Sequence, residues 1–205
     1  TAVILINAIS WQQAGGGAQF YFTPLMNFQG NSNKMLEQGY HIDKQGNQVY
    51  LSFGAGWYVL PYAISQVLQV PPSPLMLQWV SIVIGLLTAC LLFTFLLQCT
   101  GHKQHALMGS LLFLSLPAVL WYTGISYVTT GIMLPLVIWI FWLWWRLAQD
   151  AEVVGPIWFL QLCIATLLLT YIDWLSVFLI GSMVVWALSN VKKNKRYGWV
   201  ALVGA

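Results

Sequence analysis

Long uncharged runs alternate with short polar breaks along this chain. No Asp, Glu, Lys or Arg stands between Lys44 and Lys103, between Lys103 and Arg146, or between Glu152 and Asp173. A bilayer core about 30 Å thick takes roughly 20 apolar residues as a helix, so each run has room for at least one crossing. Breaks fall at Pro71-Pro72-Ser73-Pro74, at residues 99–105 around Lys103, between Gly124 and Gly131, at 146–155, and at Asp173. Proline and glycine punctuate helices because one lacks the amide donor and the other loses the most backbone freedom on ordering. The pattern predicts helices over 75–98, 106–122, 128–145, 156–171 and 174–190. The last four pair as two antiparallel hairpins.

The first third of the chain has a different texture. Residues 1–13 are apolar and then amphipathic, and Gly15-Gly16-Gly17 stops them. They read either as the tail of a spanning helix or as a short helix on the membrane surface. Residues 14–52 form a polar loop holding most of the Asn and Gln, together with Glu37, His41 and Asp43. Within it, residues 41–50 predict a small β-hairpin, because Gly46 and Asn47 tolerate a tight turn and Val49 and Tyr50 suit a strand. Residues 53–70 are uncharged but contain Gly54, Gly56, Pro61, Gln66 and Gln69, with Trp57, Tyr58 and Tyr62 among them. Aromatic residues of this kind favour the bilayer interface, which predicts a juxtamembrane surface helix in preference to a true span.

Composition sharpens this picture. Of 205 residues, 59% are hydrophobic and 6% are charged, against about 25% charged in a soluble domain. The fold class predicted is an all-α polytopic membrane protein: one membrane domain over residues 1–205, with its polar loop and surface helix outside the cytoplasm. Thr1 in place of Met and the apolar close at 200–205 read as a piece cut at both ends. Most of the net charge of +3 is the cluster Lys192, Lys193, Lys195 and Arg196. Directly after an apolar run, this reads as a cytoplasmic anchor and not as a nucleic-acid site. With the cluster inside, counting back over the crossings puts Arg146 and Lys103 inside too, so the positive charges of the later short loops share one side. Cys90, Cys99 and Cys163 lie in or beside apolar runs at no metal or disulfide spacing. Trp142, Trp144 and Trp145 before Arg146 read as an interfacial belt with an anchoring cation.

Three segments carry a family resemblance. Residues 50–62, YLSFGAGWYVLPY, look like the segment that closes the first outer loop of many polytopic glycosyltransferases of the GT-C class. Residues 7–15, NAISWQQAG, look like the juxtamembrane helix that opens that loop, and Leu116-Pro117 resembles the family's proline-bearing third helix. The chain is similar, in plan, to protein mannosyltransferases and lipid A aminoarabinose transferases. The resemblance implies a multi-pass protein of a bacterial inner (plasma) membrane. Such a protein moves a sugar from a polyprenyl-phosphate-linked donor to an acceptor on the outer face, with a carboxylate as general base. The acid of that class stands near the start of the outer loop. None occurs in residues 1–13, so it would fall upstream of Thr1, and the family's paired prolines are Gly54 and Ala55 here.

The candidate catalytic residues are Asp43, in the outer loop, and Asp173, an ionisable group between two apolar runs. Each has a structural alternative: Asp43 as a turn-former in its hairpin, Asp173 as the cap of a helix beginning at Trp174. Glu37 reads as solvated. His41, Tyr50, Trp57 and Tyr58 are the candidate substrate-binding residues. His41 has no partner at ligand spacing, His102 and His105 read as headgroup-facing loop residues, and no metal site is predicted. The partners implied are the lipid bilayer and the lipid-linked donor. The sequence names neither a cofactor nor an oligomeric state. A transporter and a non-catalytic membrane scaffold of the same fold are the competing readings.

Overall fold

The structure is a computed structural model, and it describes residues 2–20, 22–25, 41–42, 47–49, 54–124, 129–149, 155–174 and 176–190. These are mostly helical. In chain order they form α1 (Ala2–Gln13), a single 3₁₀ turn (Gly17–Phe20), β1 (His41–Ile42), β2 (Gln48–Val49) and α2 (Gly56–Leu68). Then follow α3 (Pro74–Thr100), α4 (Lys103–Ser115), α5 (Pro117–Gly124), α6 (Thr129–Gln149), α7 (Pro156–Ile172) and α8 (Ser176–Asn190).

The glycines end α1 by a defined motif. Gly15 takes φ 85°, the Gly16 N–H donates to the Trp11 carbonyl at 2.9 Å, and the Gly15 N–H donates to Gln12 at 3.3 Å. This pair of bonds satisfies carbonyls that a helix end leaves open, and it needs a left-handed residue that glycine supplies without strain. The predicted hairpin is present: β1 and β2 pair antiparallel, His41 opposite Val49 and Ile42 opposite Gln48. Leu25 bridges Val49 on the other side.

Around Pro71-Pro72 the chain turns a corner fixed at both ends. Gln69 sits at φ 54° beyond α2, and Ser65 Oγ donates to the Val70 carbonyl at 2.6 Å. Ser73 then caps α3 by accepting from the Met76 N–H, with Pro74 in the first turn, where its missing amide costs nothing. At the far end, Gly101 at φ 70° donates its N–H to Leu97 and turns the chain into α4. α3 and α4 pack closely. Ala106 and Ser110 are the buried residues of α4, and a Cβ at Gly109 would come within 2.6 Å of a Leu96 methyl.

The helices depart from the sequence reading in several respects. The helix predicted over 106–122 is two helices. Leu116 leaves the helical region (φ −60°, ψ 129°) before Pro117, because the proline ring disfavours helical geometry in the preceding residue. α8 begins at Ser176 and not at Trp174. The Asp173 carbonyl accepts both the Ser176 N–H at 3.2 Å and the Ser176 hydroxyl at 2.6 Å, so Asp173 is tied to the first residue of α8 across the bend. Finally, α3 alone among the described residues is long and apolar enough to cross a bilayer. α7 and α8 are apolar but have 17 and 15 residues, short of the roughly 20 that a bilayer core takes.

Two cores divide the bundle. The first joins α1, α2, the strands, the start of α3 and the end of α7, through Ile4, Trp11, Leu25, Val49, Tyr58, Leu77 and Ile172. The second joins α6, α7 and α8 through Ile140, Leu147, Leu162, Leu169, Met183 and Ala187. The end opposite the first core is tied by Trp142 Nε1 donating to Gln98 Oε1 at 2.7 Å and by the edge-on pair Phe95–Trp145. The C-termini of α3 and α6 therefore meet, and Lys103 and Arg146 share that end.

Candidate functional site

The first core is where the polar segment joins the helices. Trp11 is the pivot. Its ring is fully buried and lies edge-on to both Phe22 (5.8 Å) and Tyr62 (5.2 Å), while its Nε1 donates to the Thr23 carbonyl at 3.0 Å. One turn earlier, Asn7 Nδ2 donates to the Leu25 carbonyl at 3.1 Å. The Gly17 N–H reaches Tyr62 Oη at 3.4 Å. Residues 22–25 are thus strapped across α1 by two side-chain donors, and the turn after α1 is held to α2 by one tyrosine. Asn7 Oδ1 is buried and has no hydrogen-bond partner among the described residues, and a buried unsatisfied acceptor costs about 1–3 kcal/mol.

The start of α2 closes on the end of α7. A Cβ at Gly54 would run into the Tyr171 carbonyl and come within 2.8 Å of the Ile172 carbonyl. One at Gly56 would lie 2.7 Å from the Tyr171 ring. Only glycine permits this approach, because two of the obstacles are backbone atoms. Asp173 is the next residue, and it is 4% exposed. The bend that carries it is therefore covered by the same segment that holds the polar loop.

The structure brings some of the sequence-predicted site residues here and not others. Asp173 lies at the α7–α8 bend beside the α2 start. Trp57 and Tyr58 belong to the first core, with Tyr58 wholly buried and the two rings 5.3 Å apart. The backbone of His41 lies in β1, and nothing further is described of its side chain. Asp43, Tyr50 and Glu37 lie outside the described residues. Asn7 and Trp11 were not among the sequence candidates. The available signal for Asn7 was one amide inside the apolar run Ile4-Leu5-Ile6-Asn7-Ala8-Ile9. No group of three His, Cys, Asp or Glu that could hold a metal occurs among the described residues.

No protein-family model, no curated protein and no solved structure matches the chain. Fold and geometry define a mostly α-helical protein in which residues 22–25 are strapped across α1.

Proposed function

We propose that this chain belongs to a multi-pass membrane protein of the inner (plasma) membrane. In this reading it transfers a sugar from a polyprenyl-phosphate-linked donor to an acceptor on the outer face. The membrane part of the reading rests on how the helices treat polar groups. Thr94, Thr100, Ser115, Thr170, Ser182 and Ser189 sit on exposed positions, yet each hydroxyl donates to a carbonyl three or four residues back. Around them the exposed surface is apolar, including Leu86, Leu111, Leu167, Phe178 and Val185. Water would satisfy such hydroxyls directly, whereas in lipid they must find a partner in the protein. Exposed Trp79, Trp121 and Trp174 gather toward the first-core end, and Trp142 and Trp145 toward the other. Along α3 the two levels stand about 28 Å apart at 1.5 Å per residue, close to the thickness of a bilayer core.

The catalytic part rests on one observation: Asp173 is buried and directly follows Tyr171 and Ile172, against which Gly54 and the start of α2 close. Asp173 would act as general base toward the acceptor hydroxyl, with Asp43 of the loop as the other candidate. His41 and Tyr50 would bind substrate from the loop, and Trp57 and Tyr58 pack in the first core. A general base contributes about 10²–10⁴-fold. In membranes supplied with a polyprenyl-phosphate-linked hexose, Asp173→Asn is expected to lower transfer by at least about 100-fold, with the helical content unchanged. Loss in Asp43→Asn instead would move the base to the loop and keep the reaction. Full transfer in the double variant, or none in the parent chain, would sink the reading.

Orientation gives an independent check. In a background free of Cys90, Cys99 and Cys163, Ala18→Cys and Lys103→Cys both place thiols at exposed positions toward opposite ends. A membrane-impermeant maleimide should label position 18 in intact cells and position 103 only after lysis. Labelling of both from outside would exclude the topology.

A further inference from the structure

The turn between α3 and α4 and the first turn of α4 hold two of the three histidines of the chain, and the proposed transfer reaction has no use for them. His102 and His105 have ring centroids 5.2 Å apart with planes at 85°. Two imidazoles bound to one tetrahedral ion through nitrogens at about 2.0–2.1 Å place their centroids about 5 Å apart, so this edge-on spacing is compatible with a shared ion. Both rings are exposed, and neither makes a side-chain hydrogen bond among the described residues.

The backbone under the pair is fixed. Gly101 holds φ 70° with its N–H on the Leu97 carbonyl. Thr100 Oγ1 accepts from the His102 N–H at 3.3 Å and donates to the Leu96 carbonyl at 2.8 Å. The His102 carbonyl accepts the Ala106 N–H at 3.1 Å and so opens α4. Binding here orders only the two side chains, which keeps the entropic cost small. Imidazole suits zinc, copper and nickel, whereas the hard magnesium and calcium ions prefer oxygen.

We propose that His102 and His105 form a two-histidine site for a divalent first-row transition ion, with water in its open positions. Cys99 stands three residues before His102, completing a Cys-x-x-His-x-x-His spacing. Its thiol does not join the group, since no three such ligands come together among the described residues. The ammonium of Lys103 lies between the two histidines in sequence and opposes a bound cation.

The test is calorimetric titration of ZnCl₂ into the purified full chain, carrying no polyhistidine tag. The expected result is one saturable ion per chain. Loss of an outer-shell group alone weakens metal sites about 10–100-fold, so His102→Ala and His105→Ala should each cost at least about tenfold, and the double variant should abolish binding. His105→Gln serves as a second, less disruptive variant, and helical content by circular dichroism checks that each folds. His41→Ala and Cys99→Ser should bind as the parent does, and Lys103→Gln at least as tightly. Absence of saturable binding, undiminished binding in the double variant, or loss on Cys99→Ser would each overturn the pair as the site.

Discussion

Replacing Trp11 with alanine is expected to lower the apparent Tm of the purified chain by on the order of 10 °C. A buried tryptophan truncated to alanine costs about 3–5 kcal/mol, and 1 kcal/mol shifts Tm by about 2–4 °C at this chain size. Trp11 is fully buried and makes two edge-on ring contacts, to Phe22 and Tyr62. Its indole N–H is also one of the two side-chain donors holding residues 22–25. The loss should concentrate in the polar segment, so limited proteolysis between residues 18 and 54 should accelerate more than global unfolding does. Trp11→Phe separates the parts: it keeps most of the packing and drops the bond to Thr23, worth about 1 kcal/mol. An alanine variant that melts within about 2 °C of the parent, the shift of a single weak contact, would remove Trp11 from the core.

The second large effect concerns a single methyl group. Gly54→Ala should destabilise by about 1–3 kcal/mol or more, the range for overpacking. Its Cβ meets the carbonyls of Tyr171 and Ile172, which are backbone and cannot rotate away. Gly131→Ala is the matched control. A Cβ there meets nothing within 4 Å, and alanine inside a helix gains about 0.5–1 kcal/mol over glycine. The two substitutions are therefore expected to move Tm in opposite directions. If Gly54→Ala melts with Gly131→Ala, the close approach of α2 to α7 is wrong. Because Asp173 follows the two obstructing residues, Gly54→Ala should also lower any activity that depends on Asp173, whereas Gly131→Ala should not.

Much of the helix plan was legible because its punctuation is local. Pro156 opens a helix at the residue the sequence suggested, Pro74 opens one a residue earlier than expected, and the glycines after Gln13 end α1 where they stand. Pro117 was placed inside one continuous helix because the run from Leu111 to Tyr122 is largely apolar on both sides of it, and hydropathy does not register a backbone break. Trp57 and Tyr58 show the limit of residue type as a guide. They have the chemistry of interfacial residues and are buried, while Trp79, Trp121 and Trp174 take the exposed positions. Which aromatic faces outward is decided by what packs beneath it, here α1 and the end of α7, and that is long-range information. The closing of Gly54 and Gly56 over the Asp173 bend is of the same kind. The sequence marks Asp173 as an unusual carboxylate and is silent on the segment, more than a hundred residues earlier, that covers it.

The corner between α2 and α3 has a consequence for how the polar segment is aimed. Pyrrolidine rings fix φ at Pro71, Pro72 and Pro74. On one side Ser65 holds Val70, and on the other Ser73 is committed to Met76. Such a joint has lost most of its torsional freedom before the chain folds, so little entropy remains to be gained by opening it. It behaves as a bracket and not as a hinge. α2 inherits its angle from α3, the longest helix among the described residues, and α1, packed on α2 and carrying the strap, is oriented with it. A tilt of α3 would carry the whole assembly with it as one stiff arm.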